Sequence, residues 1–246
     1  MITIFTYHKI LKELSKQQDV YDIQYDYFIK QLSYLKNKSK ICTLLDEKQN
    51  NYDKNKITVL TFDDGTYDHY SSVFKELEYL NLKGVFYVNP CNIGNKNYLS
   101  KKNICEMVRY GHEIGSHSYN HLNLAKISKK NLLYEIQNSK AYLEDLLGIE
   151  ILSIAPPFGS VNDTVIKVAL DSGYKFIRTT KWGHNKSLSS TLNSFVVKKE
   201  WDKDVIERIF NKNFFIGYSL KKYLISFLGF EKFNLIKKYL PIRGPF

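Results

Sequence analysis

Two short segments of this 246-residue sequence carry residues that could do metal chemistry. Residues 59–65 read VLTFDDG, an apolar run that ends in two adjacent carboxylates, Asp63 and Asp64, and a glycine able to open a turn. Residues 113–121 read EIGSHSYNH, in which His117 and His121 are four residues apart. On a helical turn this spacing puts both imidazoles on one face, where they can share a metal ion.

Together the two segments supply two histidines and a carboxylate, which favours a catalytic metal site over a structural one. Three protein ligands leave coordination positions open for water and substrate. This ligand set fits Zn²⁺ and also suits Fe²⁺ or Co²⁺. Each segment has a simpler interpretation as well. The carboxylates could form a turn and a helix cap, and the histidines could lie in a polar surface loop.

In this order, the two segments resemble the leading motifs of the polysaccharide deacetylase family, carbohydrate esterase family four. The resemblance covers residues 1–200, and the TYH at residues 6–8 is similar to the start of a bacterial branch of that family. It implies a metal-dependent hydrolase that removes the acetyl group of an N-acetylated oligo- or polysaccharide and releases acetate. It also implies one divalent metal ion, with Zn²⁺ favoured over Co²⁺, Ni²⁺ or Fe²⁺.

The resemblance also implies roles for four residues. Asp64, His117 and His121 would hold the metal, and Asp63 would be the general base. A divalent cation lowers the pKa of its bound water, and a carboxylate within hydrogen-bond reach takes the proton as the amide carbon is attacked.

A third family motif matches in part. The family has arginine, any residue, proline, an aromatic residue and glycine, whereas residues 155–159 here read APPFG. Ala155 therefore leaves Asp63 without the arginine that orients it in the family. Phe158 would form one wall of the sugar groove, and its backbone N–H is the candidate for a second oxyanion contact, since the preceding proline has no N–H. A Pro-Pro turn leading into a helix explains the same residues without catalysis.

The histidine that protonates the leaving amine in the family has no direct counterpart. The family's late Leu-His-Asp segment is replaced by SFVVKK at residues 194–199. Two histidines are candidates for the general acid: His184 in a polar loop and His8 at the end of the first strand. His184 could equally be a surface residue, and His8 could be a hydrogen-bond partner of the metal site. His69 and His112 are interpreted as structural.

The segments that would position these residues alternate between strands and helices. Seven apolar runs predict strands: Ile2–Tyr7, Thr58–Phe62, Val85–Val88, Glu113–Ser116, Ile151–Ile154, Lys175–Ile177 and Phe195–Val197. Helical spacing predicts helices near 25–35, over 67–80, from a cap at Ser128 to Gly148, and from Asn162 to Gly173. This alternation predicts parallel strands whose carboxyl ends gather ligands. It fits a barrel or an open doubly wound sheet, and with the resemblance we expect an α/β fold, a distorted (β/α) barrel of seven parallel strands.

Two regions are predicted. The barrel would occupy residues 1–208, and residues 209–246 would form a basic amphipathic helical extension that packs on the barrel or lies on an anionic membrane. The net charge of +11 favours an anionic partner, such as a membrane surface or a phosphorylated, lipid-linked glycan precursor. Nucleic acid is disfavoured because no recognition-helix or strand-binding pattern accompanies the lysines.

The N-terminal residues lack a basic segment followed by a long apolar run, so no signal peptide is predicted. No apolar run is long enough to span a bilayer. We therefore expect a cytoplasmic protein, peripheral at the inner face of the membrane if the extension binds lipid.

Two other functions fit the sequence. The altered third motif and the missing late histidine are compatible with a catalytically impaired module that binds glycan or metal. The same metal centre would also suit an amidohydrolase of a small non-sugar amide.

Overall fold

The apolar runs form one parallel sheet that curves into a distorted barrel, as predicted. A computed structural model of the protein describes residues 1–13, 19–46 and 56–210. The strands of the sheet are β1 (Ile2–Tyr7), β4 (Lys40–Ile41), β5 (Ile57–Phe62), β6 (Val85–Val88), β7 (Glu113–Ser116), β8 (Ser153–Ile154), β9 (Phe176–Arg178), β10 (Thr191–Leu192) and β11 (Phe195–Val196). Across the described residues their order is β10-β9-β8-β7-β6-β5-β1-β11, with β4 paired to β5 and every pair parallel. A separate parallel pair joins β2 (Ile10–Leu11) and β3 (Ile23–Gln24).

The strands carry apolar residues on both faces because the sheet is covered on both sides. Ile4 and Val59 belong to a buried apolar cluster. Tyr7 and Phe62 lie on the same two strands but point to the opposite face, where their rings stack with centroids 5.6 Å apart. Phe28 of the first helix packs edge-on against Tyr7, with centroids 5.2 Å apart, so this helix covers the aromatic face. Successive side chains of a strand point to opposite faces, which explains the two sets.

Helices connect the strands, and one more helix follows the last strand. They are α1 (Tyr25–Lys38), a π-helical turn His69–Phe74 running into α2 (Lys75–Tyr79), α3 (Lys101–Arg109), α4 (Lys129–Leu133), a π-helical turn Tyr134–Asn138 running into α5 (Ser139–Leu147), α6 (Asp163–Asp171) and α7 (Lys203–Ile209). The predicted caps are confirmed: the hydroxyl of Ser128 accepts from the N–H of Asn131, and Gly148 ends α5 in the left-handed conformation. In the described part of the chain, no helix is both long and apolar enough to cross a membrane.

Helix α3 was not predicted from the sequence. Its signal is a capping box, in which Ser100 and Asn103 each accept the other's backbone N–H, followed by the buried Ile104 and Met107. Strand β9 also ends one residue later than predicted, at Arg178. This second difference bears on the chemistry described below.

The chain divides into two compact units, Met1–Lys199 and Glu200–Phe246. The boundary predicted after residue 208 falls inside the second unit. Most of the predicted extension 209–246 lies outside the described residues, so its packing stays a prediction.

A carboxyl group is buried where β7 begins. One oxygen of Glu113 accepts hydrogen bonds from the N–H groups of Leu44 and Leu45 at 3.0 and 3.2 Å, and the other accepts from the hydroxyl of Ser153 at 3.0 Å. Burial raises the pKa of Glu113 to about 7, although these hydrogen bonds act in the opposite direction. The folded state therefore binds this proton more tightly than the unfolded chain does.

We predict that Glu113→Gln stabilises the protein at pH 8 more than at pH 5. The raised pKa gives stability that is present below the unfolded pKa and is lost as the pH rises through the folded pKa, whereas glutamine never ionises. From the size of the shift we expect the stabilising effect to grow by on the order of 2 kcal/mol between the two pH values, in urea unfolding. Glu150→Gln, at an exposed position, is the control. An equal effect of Glu113→Gln at both pH values would contradict the prediction.

Candidate active site

Adjacent carboxylates at the end of β5 face different partners. Asp64 has a left-handed backbone with φ of 80°, and Gly65 continues the turn with φ of 64°. A carboxylate residue tolerates this conformation better than most, and glycine adopts it freely. As a result Asp63 contacts one set of groups and Asp64 another.

Three side chains converge in the way that a metal ion requires. The Nε2 atoms of His117 and His121 each lie 3.2 Å from Oδ1 of Asp64, and the ligand atoms of all three lie within 4.8 Å of one another. In a tetrahedral zinc site with bonds near 2.0–2.1 Å, neighbouring ligand atoms are about 3.3 Å apart. The three residues predicted as ligands are therefore brought together at a spacing that fits a metal ion.

Hydrogen bonds prepare these groups for coordination. The Nδ1 of His117 donates to the carbonyl of Ala155 at 2.5 Å, so Nε2 is the ring nitrogen that faces Asp64 and would bind a metal ion. Burial would raise the pKa of Asp64, but hydrogen bonds from His117 and His121 hold it well below its usual range. The carboxylate is therefore ionised at neutral pH, as a metal ligand must be.

The two histidines are not on a helical turn, which corrects the interpretation of their spacing. Residues 117–121 form an irregular loop in which Ser118 and His121 have left-handed backbones, with φ of 61° and 59°. Glu135 holds this loop by accepting from both the backbone and the side-chain N–H groups of Asn120, each at 2.8 Å. Asn89 holds it from the other side by donating to the carbonyl of His117.

The predicted base has an arginine partner after all. Arg178 donates from Nη2 to Oδ2 of Asp63, and the two residues are 1% and 3% exposed. The guanidinium also lies over the ring of Tyr87, with Cζ 5.3 Å from the centroid. Among the described residues, nothing hydrogen-bonds to the buried Oδ1 of Asp63. The prediction that Ala155 leaves Asp63 without an arginine was therefore wrong, and one oxygen of Asp63 stays available to accept a proton.

Strand register explains how an arginine outside the third motif can replace the one that the family has at the position of Ala155. Strands β8 and β9 pair Ile154 with Ile177, so Ala155 and Arg178 follow at the same level on neighbouring strands. The guanidinium thus reaches Asp63 from the next strand. The signal in the sequence was a charged residue directly after the apolar Phe176–Ile177, the same pattern that marks Asp63 after Phe62.

Of the two candidates for the general acid, His8 is the one that lies beside Asp63. Its Nε2 is 4.0 Å from Oδ2 of Asp63, and its ring stacks on Tyr21 with centroids 5.1 Å apart. The buried His69 fixes the backbone here, because its Nε2 donates to the carbonyl of His8 at 2.8 Å. Burial lowers the pKa of His8, while the charges of Asp63 and Asp64 act in the opposite direction.

His184 is not brought into this group. Its Nδ1 is 2.8 Å from the hydroxyl of Thr3, near the start of β1, whereas His8 follows the end of that strand. Its ring packs against Phe195, with centroids 5.5 Å apart. The interpretation of His184 as a general acid therefore has no geometric support, since a proton donor must lie within hydrogen-bond reach of the reacting group.

A cavity of about 600 Å³ joins these residues. Phe158 lines it with a ring that is 70% exposed, packed edge-on against His121 with centroids 4.9 Å apart. The turn that carries Phe158 is tight, since a Cβ on Gly159 would lie 1.9 Å from the hydroxyl oxygen of Thr180. The cavity lining includes His8, Tyr21, Asp63, Asp64, His117, His121, Phe158 and Trp182. Its volume and its convergent polar groups are typical of a small-molecule site.

Comparison with known proteins agrees with this geometry. Residues 50–177 match the sequence model of a family described as polysaccharide deacetylase. A peptidoglycan-N-acetylglucosamine deacetylase of Bacillus cereus is 29% identical over 157 residues, which are 63% of this chain and 65% of that protein. A chitin deacetylase of Arthroderma benhamiae is 33% identical over 124 residues, 48% of this chain and 32% of that protein. The chain thus spans less than two thirds of the length of either relative.

A solved structure gives the same fold. The Streptococcus pyogenes deacetylase PplD in complex with acetate superposes with a TM-score of 0.77 at 25% sequence identity. The superposition covers 85% of this chain and 98% of that one. The barrel described above is therefore a known architecture for a deacetylase.

We predict that Arg178→Met destabilises the metal-free protein by about 3 kcal/mol, because it leaves the buried carboxylate of Asp63 without a compensating charge. The double variant Arg178→Met/Asp63→Asn should lose less, since no unpaired charge remains. Urea unfolding of the wild type, both single variants and the double variant gives the coupling energy directly. Purely additive effects would mean that the two side chains do not interact as described.

Proposed function

Because this chain belongs to the polysaccharide deacetylase family, we propose that it is a metal-dependent deacetylase that hydrolyses the acetamide of an N-acetylated sugar and releases acetate. One observation carries the proposal: three metal-ligand side chains converge beside a buried carboxylate that has one oxygen free to accept a proton. The substrate class is a polysaccharide or glycan precursor. A lipid-linked carrier, contact with a membrane and a cytoplasmic location stay predictions from the sequence.

Asp64, His117 and His121 would hold one divalent ion. Their donor set of two imidazole nitrogens and one carboxylate oxygen favours Zn²⁺ and also accommodates Co²⁺, Ni²⁺ or Fe²⁺. When bound, such an ion lowers the pKa of water toward neutrality and polarises the acetyl carbonyl oxygen.

Asp63 is the proposed general base. Its free Oδ1 can take a proton from the attacking water while Arg178 holds Oδ2 and compensates the buried charge. Since the guanidinium is itself buried and rests on Tyr87, the carboxylate is held in one orientation through the reaction.

His8 is the proposed general acid for the leaving nitrogen. It shares the cavity with Asp63, and the stacked Tyr21 and the clamped backbone fix its ring. A proton donor to the leaving nitrogen must lie within reach of the reacting group, and this position beside the proposed base meets that requirement.

Phe158 is proposed to form one wall of the sugar site. Its exposed ring presents a face on which a sugar can pack, and its backbone N–H is a candidate oxyanion donor. The alternative of a catalytically impaired module is weakened, because Arg178 supplies the partner whose absence from the third motif suggested it.

We predict that Asp63→Asn binds metal as the wild type does but releases acetate from N-acetylglucosamine oligomers at least 100-fold more slowly. The substitution removes the proton acceptor and spares the three ligands. Metal content by mass spectrometry and acetate release with Zn²⁺ added would be measured on the same preparations. His121→Ala, which removes a ligand, should lose both properties. Wild-type protein that binds no metal after incubation with Zn²⁺ would overturn the assignment of the site.

We predict that His8→Gln lowers kcat by about 100-fold or more, because the leaving amine loses its proton donor. The matched variant His184→Gln should keep kcat within a factor of about three of the wild type, since its ring lies at the other end of β1. Steady-state acetate release from the same oligomer would measure both. A large loss for His184→Gln with little for His8→Gln would reverse the assignment.

A further inference from the structure

Two lysines lie on the cavity wall next to His8. Lys9 follows His8 after β1, and Lys198 follows β11. These strands pair Thr6 with Val196, and the N–H of Val197 continues the ladder by donating to the carbonyl of Thr6 at 2.8 Å. Lys198 is therefore level with His8 on the adjacent strand. Both lysines line the cavity that contains the metal ligands.

Neither lysine is neutralised by a described neighbour. Within residues 1–13, 19–46 and 56–210, no carboxylate oxygen lies within 4.0 Å of the ammonium group of Lys9 or Lys198. Elsewhere in the same residues, lysines do form such pairs, for example Lys167 with Asp171 at 3.1 Å. The cavity therefore holds two positive charges that are available to a ligand.

Two further carboxylates line the cavity and are used by the chain itself. Oδ1 of Asp19 accepts from the N–H of Tyr21 at 3.0 Å, and Oδ2 of Asp22 accepts from the N–H of Asp19 at 3.1 Å. These bonds shape the turn that brings Tyr21 against His8. The acids thus stabilise a loop, and within the described part of the chain neither of them forms an ion pair with Lys9 or Lys198.

We propose that the sugar which this protein deacetylates carries an anionic substituent beside its acetamido group, and that Lys9 and Lys198 bind that substituent. The inference rests on the proposed deacetylase function, because it takes His8 as the group nearest the leaving nitrogen. That nitrogen is attached to C2 of the sugar, so the substituents on C1 and C3 lie next to it. A phosphate ester on C1 or a carboxylate-bearing ether on C3 would supply the anionic group, and an ammonium group binds either as a point charge.

The net charge of +11 favours the same class of substrate. A positive protein attracts anionic glycans at long range, while charges inside a cavity act more strongly on a bound group than the same charges on an open surface. Salt should therefore weaken the binding of an anionic sugar and have less effect on a neutral one.

The test compares acetate release from three substrates: a neutral N-acetylglucosamine tetramer, a glycan fragment containing N-acetylmuramic acid, and N-acetylglucosamine 1-phosphate. For the wild type we expect kcat/KM for one anionic substrate to exceed that of the neutral tetramer, and 0.5 M salt to reduce this preference. In Lys9→Gln/Lys198→Gln, the ratio of anionic to neutral kcat/KM should fall about tenfold, mainly through KM. The carboxylate and phosphate substrates tell the two sources of charge apart.

Two controls keep the test specific. Lys167→Gln removes one positive charge at an exposed position away from the cavity and should leave the ratio unchanged. Lys9→Arg/Lys198→Arg keeps the charges and should retain most of the preference, which a merely structural role for the lysines would not require. Metal content equal to that of the wild type shows that each variant is folded at the site.

The outcomes separate this inference from the proposed function. Acetate release with no preference for either anionic substrate, or an unchanged ratio in the double glutamine variant, contradicts the inference and leaves the deacetylase function standing. No acetate from any of the three substrates with metal bound would contradict the deacetylase function, and the inference with it.

Discussion

The ion pair between Asp63 and Arg178 is the interaction on which the rest of the site depends. Each of these charges is almost wholly removed from water, and burying an unpaired ion is strongly unfavourable. The ends of β5 and β9 must therefore stay at the spacing that keeps the pair together. The pair joins the ends of these two strands, and among the described residues it leaves Oδ1 of Asp63 without a hydrogen-bond partner.

Several backbone positions around the cavity are held in sparsely populated conformations. The non-glycine residues with positive φ that line or precede the site are Asp64, Ser118, His121 and Phe158. Conformations of this kind are unfavourable by about 1–3 kcal/mol each and persist where neighbouring contacts determine them. The double hydrogen bond from Asn120 to Glu135 is such a contact. Stability elsewhere in the barrel thus maintains a geometry that the loops would not adopt alone.

Buried polar groups occur at both ends of the barrel and play different roles. At the carboxyl end of the strands they converge on a cavity, with oxygens and nitrogens left available for a ligand. At the start of β7, by contrast, Glu113 accepts hydrogen bonds from Leu44, Leu45 and Ser153. Its polar contacts satisfy the backbone of a nearby loop, which is a structural task. In this fold, therefore, the polar groups at the carboxyl ends of the strands form the candidate active site, whereas the buried carboxyl group at the start of β7 has a structural role.

Much of the fold and of the metal centre could be predicted from the sequence. Local periodicity fixed the seven main strands, and the acids and histidines at the ends of two strands identified Asp63, Asp64, His117 and His121. Helix α3 was not predicted, because its start is marked only by the capping box of Ser100 and Asn103.

What the sequence could not decide was which strand ends meet. The aspartate and its arginine are 115 residues apart in the chain, and the pairing of β8 with β9 brings Arg178 to the level at which the family motif would place it. The same holds for the choice between His8 and His184, since one follows the end of β1 and the other contacts its start. Residue types and local spacing determined the chemistry available to this protein. Strand order and register, which arise from long-range packing, decided which of those residues act together.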